Sequence, residues 1–169
     1  IVFLSEHTGY RQLHTLDPVY ESIQQLTRGR FEVYPIRISK DHRWMFVTST
    51  KDDAAREQVY RVSLDTGEMT RLSPQEGSYS SVAVSDDGRR VLARFARYGQ
   101  LSELFAVDVA KKKMMKLTDS HPEKASIVKK GRPEFFTYKN RHGQEIHGQL
   151  IKPDRWKKTD KRPLLIYVY

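Results

Sequence analysis

Serines, histidines and carboxylates are the side chains that could run hydrolytic chemistry in this chain, which has no cysteine to serve as nucleophile, disulfide partner or thiolate ligand. A serine nucleophile is usually presented on a strand-to-helix elbow, Gly-x-Ser-x-Gly, with a histidine base and a carboxylate to orient that base. The motif does not occur, and Gly77-Ser78-Tyr79 lacks the second glycine. Metal chemistry finds no better footing. His142 and His147 stand five apart on a hairpin-like stretch, so they face opposite sides, and no third ligand is nearby in the sequence. They read as surface polar residues, and no metal or cofactor is expected. Whatever chemistry the chain takes part in must rest on its scaffold.

That scaffold is bounded by composition. A length of 169 residues holds one domain or pieces of two, and 38% apolar residues can fill a core. No run approaches the roughly 18 uninterrupted apolar residues of a membrane helix. The start, Ile1-Val2-Phe3-Leu4, has neither a methionine nor a basic n-region, which predicts neither a natural start nor a signal peptide. A net charge of +9 raises nucleic acid as a partner, but the basic residues are dispersed, the longest runs being Lys111-Lys112-Lys113 and Lys157-Lys158. Dispersed charge reads as solvated turns and outer faces, not as a nucleic-acid interface.

The chain repeats itself. Ile38-Ser39-Lys40-Asp41-His42-Arg43-Trp44-Met45-Phe46 recurs as Val84-Ser85-Asp86-Asp87-Gly88-Arg89-Arg90-Val91-Leu92, an offset of 46. Val59-Tyr60-Arg61-Val62-Ser63-Leu64 recurs as Leu104-Phe105-Ala106-Val107-Asp108-Val109, an offset of 45, and Leu13-His14-Thr15-Leu16 is an earlier copy. The unit closes on Leu26-Thr27, Leu72-Ser73 and Leu117-Thr118. Alternating Ile36-Arg37-Ile38 and Val82-Ala83-Val84 have strand period. Asp87-Gly88 supplies a tight turn, and His42 takes that place in the earlier copy. A second strand (44–49; 91–95), a third (58–64; 103–109) and a short fourth ending at Leu72 or Leu117 complete the unit. Four antiparallel strands in about 45 residues is the arithmetic of a β-propeller blade. Residues 18–27 carry helical spacing at Val19, Ile23 and Leu26, but the repeat register makes them a turn and fourth strand. The prediction is the end of one blade and two whole ones over 1–118, with Trp44, Phe95, Arg97 and Tyr98 packing blades in preference to lining a propeller mouth.

After Thr118 the repeat stops. Residues 119–133 read as a linker, and two amphipathic strands follow around a turn at Asn140-Arg141-His142-Gly143. A basic loop then leads into Leu164-Leu165-Ile166-Tyr167-Val168-Tyr169, which predicts a fully buried strand and a longer parent protein.

Blades closing on Leu-Thr, then Phe-Thr-Tyr-Lys-x-x-x-Gly-x-x-Ile-x-Gly-x-Leu-Ile-x-Pro over 136–153, then Lys-Arg-Pro-Leu-Leu-Ile-Tyr-Val-Tyr over 161–169, resemble the dipeptidyl peptidase IV branch of the prolyl oligopeptidase serine peptidases. The resemblance spans the chain and is more specific from Phe135 onward. It implies a mainly β fold in which four-stranded propeller blades run into the first strands of an α/β-hydrolase domain, truncated over 134–169. It further implies a serine peptidase parent that hydrolyses short peptides after Pro or Ala, with all three triad members beyond these residues. None of the six histidines is then catalytic, and the chain alone should be inactive. Tyr169 is the one catalytic residue the resemblance assigns, its phenol donating to the oxyanion from the carboxyl end of a sheet strand. The family's amine-binding glutamate pair has no counterpart here, so specificity is not legible.

Peptide is thus the expected substrate of the parent, with no nucleic acid, no membrane segment in this chain, and homo-oligomers from blade faces left open. The compartment reads as periplasmic or secreted, with cytoplasmic as the other option. The rival reading is a non-catalytic propeller that binds proteins, with the last 35 residues an accessory β unit.

Overall fold

The computed structural model describes residues 1–124, 133–153 and 155–168. Thirteen strands run through them, and no α-helix is present among the described residues. β1 (Val2–Ser5), β2 (Gln12–Asp17) and β3 (Ser22–Gln25) form a three-stranded sheet. β4 (Val33–Ile38), β5 (Trp44–Ser49), β6 (Gln58–Ser63) and β7 (Met69–Arg71) form a four-stranded sheet in chain order. β8 (Ser78–Val84), β9 (Arg90–Arg97), β10 (Gln100–Asp108) and β11 (Lys113–Lys116) form another with the same order. β12 (Pro133–Lys139) and β13 (Glu145–Ile151) make a separate antiparallel hairpin. The helical spacing of 18–27 yields to the register: its second half is β3.

The repeat is visible at atomic scale. In both β-hairpins a serine at the end of the first strand caps the turn through an aspartate two residues on. Ser39 Oγ donates to Asp41 at 2.6 Å, and Ser85 Oγ donates to Asp87 at 2.7 Å. Those serine oxygens also accept the amide of the next strand's first residue, from Trp44 at 3.0 Å and Arg90 at 2.9 Å. The left-handed residue between them is His42 in one copy (φ 59°) and Gly88 in the other (φ 67°). The serine hydroxyl, followed by a backbone amide, holds each aspartate carboxyl below its ordinary value.

Packing follows from strand alternation. Met45, Val47, Tyr60 and Val62 meet Leu13 of the first sheet and Leu26, just past its last strand, in one cluster. Their alternates Phe46 and Val59 meet Val91, Ala93, Phe95 and Phe105 of the third sheet in another. The middle sheet is therefore covered on both faces, and the alternation disappears from its burial: all of β5 after Trp44 is buried. β9 is covered on one face and keeps it, with Val91, Ala93 and Phe95 inside and Arg90, Leu92 and Arg94 outside. Arg37 ties the two sheets at the rim, 2.5 Å from Asp86 and 3.2 Å from the Val84 carbonyl oxygen.

One expectation is corrected. Residues 164–168 are not in a ladder, and their side chains are exposed, Leu165 at 94%. A strand buried on both faces needs paired edges and covering layers, and the described residues supply neither to this segment.

Candidate functional site

The chemistry-bearing side chains do not converge. Ser78 opens β8 as an ordinary strand residue. His142 lies in the turn between β12 and β13, its Nε2 3.1 Å from Arg141 Nε, while His147 lies on β13, 3.5 Å from Glu145. His14 is buried, stacked on Phe3 with centroids 5.4 Å apart. Among the described residues, no three His, Asp or Glu side chains come together in a way that could hold a metal ion. Burial pushes the Tyr60 and Tyr79 phenols up, so neither is placed to exchange protons near neutrality. Tyr169 lies outside the described residues.

The polar groups that do converge sit where the chain leaves each sheet, and sequence reasoning passed over them. Gln12, Gln58 and Glu103 occupy one repeat position, at offsets of 46 and 45, and all three are buried. Gln12 Nε2 donates to the carbonyls of Phe31 (2.7 Å) and Gly29 (3.1 Å), and Gln58 Nε2 donates to that of Gly77 (2.5 Å). Each amide thereby clamps the crossing that carries the chain from one sheet to the next. A Cβ at Gly77 would lie 2.7 Å from the Ala96 carbonyl oxygen and closer still to the Phe95 ring, so the crossing passes where only glycine fits. The closing Thr or Ser of each unit completes the clamp. Thr27, Ser73 and Thr118 accept the amides of Leu13, Val59 and Leu104 at 2.9, 3.2 and 3.0 Å. The offsets were in the sequence; the reach of each side chain was not.

Arg71 reinforces the second crossing. Its Nη1 lies 3.0 Å from Asp52 and 2.9 Å from Glu76, Nη2 donates to Gln58 (2.9 Å) and the Gln75 carbonyl (3.2 Å), and Nε donates to the Ser73 carbonyl (2.9 Å). Those contacts occupy the five donors of a guanidinium. Its desolvation opposes the charge, but Glu76 and Asp52 outweigh it and the guanidinium pKa is raised. The adjacent cleft of about 270 Å³, lined by Arg71, Ser73, Glu76 and Lys112 among others, therefore borders a cation already spent on the fold.

The residues weighed for a propeller mouth divide. Phe95 is buried, tilted on Tyr79 at 4.9 Å and edge-on to Phe105 at 5.4 Å. Trp44 carries the Arg61 guanidinium 4.4 Å above its ring. Phe95 packs between blades, as expected, while Trp44 is partly buried and its stacking partner lies within its own sheet. Arg97 and Tyr98 instead lie exposed at the tip between β9 and β10, with Arg97 Nε donating to Gln100 at 3.0 Å.

Sheets of this order, packed face to face in sequence, are β-propeller blades. The crystal structure of Porphyromonas gingivalis dipeptidyl peptidase 4 has the same fold, with a TM-score of 0.73 at 16% identity over 92% of this chain and 22% of that one. Residues 1–101 match the family described as the dipeptidyl peptidase IV N-terminal region, and the chain belongs to that family. Dipeptidyl peptidase 4 of Arthroderma otae is 29% identical over 174 aligned residues, and that of Trichophyton equinum 28%. Both alignments take in 99% of this chain and 22% of the relative, so the chain spans about a fifth of the length of these relatives.

Proposed function

We propose that this chain is the propeller-to-catalytic-domain portion of a dipeptidyl-peptidase-type serine peptidase. Residues 1–118 are the propeller part, 119–133 the linker, and 134–169 the opening of an α/β-hydrolase domain. The observation that carries the reading is that likeness to dipeptidyl peptidase 4 runs over 99% of the chain, past the last blade and through the hairpin β12–β13. A free-standing binding propeller gives no reason for that continuation.

The division of labour is physical. The blades supply a rigid wall, since their crossings are clamped by buried amides and a saturated arginine. The nucleophile, base and orienting carboxylate come from the rest of the parent, which cleaves short peptides after Pro or Ala. Tyr169 contributes the phenolic donor of the oxyanion hole. The chain also has apolar surface to bury, with Phe135 at 57%, Tyr138 at 53% and Ile166 at 72% exposure. Surface of this kind supports burial against the catalytic domain and homo-oligomers of the parent.

The full-length protein should be labelled by a fluorophosphonate, which esterifies only an activated serine, and boiling it first should abolish the labelling. Absence of labelling in folded full-length protein would favour the non-catalytic propeller.

A further inference from the structure

At the third occurrence of the clamp position the side chain changes chemistry. Glu103 stands where Gln12 and Gln58 stood, and the segment it meets leads out of the last four-stranded sheet and on to the separate hairpin β12–β13. Its Oε1 accepts the Ser120 amide at 2.8 Å, and its Oε2 accepts the Ser120 hydroxyl at 3.0 Å and the Thr118 hydroxyl. An amide offers a donor to the carbonyls of a crossing; this carboxylate offers acceptors to the donors of a departing chain. Glu103 is 4% exposed and is the only carboxylate buried among the described residues. Burying a carboxylate is costly unless hydrogen bonds satisfy it, which makes a purely packing role an expensive use of the position.

We propose that Glu103 is the positioning residue for the chain's exit from the blades. Its ionised carboxylate anchors residues 118–120 to the start of the third strand and fixes the point from which the chain runs on toward β12–β13. The neighbours support an ionised group. The Thr118 hydroxyl, followed by the Ser120 donors and the charge of Lys116, holds the carboxyl below its ordinary value. Lys116, on β11, is itself 2.5 Å from Asp119, and across β9 the residue opposite Glu103 is the uncharged Phe95. The assignment goes beyond the peptidase reading and stands without it.

The test is hydrogen exchange in the full-length protein, which requires no activity. Glu103→Gln keeps the shape but loses the charge and turns one acceptor into a donor facing donors. At neutral pH it should speed exchange over 117–121 roughly ten- to a hundredfold, the scale of a charge-assisted hydrogen bond, while β5 and β6 stay protected. Ser120→Ala, which removes a single hydroxyl donor, should give a smaller change in the same segment. The wild-type advantage must also fade in acid. A lowered folded-state value means the anchor contributes fully above the ordinary 4.5 and is lost as pH falls through the lower folded value. Unchanged exchange over 117–121 in Glu103→Gln, equal loosening of β5 and β6, or an advantage that persists undiminished at acid pH would each overturn the assignment.

Discussion

Tyr169→Phe in the full-length protein is expected to lower kcat on a Gly-Pro or Ala-Pro arylamide by roughly a hundred- to a thousandfold, with KM and the thermal midpoint little changed. The substitution deletes one donor and keeps the ring. If the phenol binds the oxygen on which negative charge develops, its loss falls on the transition state and not on the bound substrate. Steady-state kinetics with paired thermal melts separate the cases. A wild-type kcat would reduce Tyr169 to packing and leave the chain without a catalytic residue, while a lowered midpoint would assign it to the fold.

Phe95→Ala is the second large effect, and it falls on stability. Phe95 is 1% exposed and joins Tyr79 on β8, Phe105 on β10 and the close approach at Gly77. Removing a buried phenyl costs about 3–5 kcal/mol, through lost transfer energy and the cavity left behind, and here it also removes two aromatic contacts. The crossing at Gly77 loses the ring it passes against, so damage should spread from the third sheet to its junction with the second. Chemical denaturation of the full-length protein should show the propeller transition shifted to markedly lower denaturant. A shift below about 1 kcal/mol would mean that the third sheet does not pack as described. Leu92→Ala on the opposite face of β9 is the natural control, since Leu92 is 40% exposed.

These two residues mark where the sequence was legible and where it was not. The blade repeat could be read because its signals are local: Ser-x-Asp turns, strand alternation, and a closing Leu with Thr or Ser at constant spacing. The last strand of the first sheet, β3, was recovered from register alone, against a helical spacing that tertiary pairing overrode. β1 was not legible, because Ile1-Val2-Phe3-Leu4 is apolar without alternation and the earliest recognisable copy of the repeat is Leu13-His14-Thr15-Leu16. The clamps at Gln12, Gln58 and Glu103 share an offset that was countable, yet their meaning depends on which carbonyls and amides lie within reach. For 164–168 the error ran the other way. An apolar run records that burial is wanted; it does not supply the strands that provide it.

The measurement that bears most directly on the whole account is turnover of an Ala-Pro or Gly-Pro arylamide by the purified full-length protein, followed by identification of the product released. The account predicts release of the intact dipeptide together with the free arylamine, and loss of turnover after fluorophosphonate treatment. No hydrolysis by folded protein, or hydrolysis that survives complete serine labelling, would contradict it.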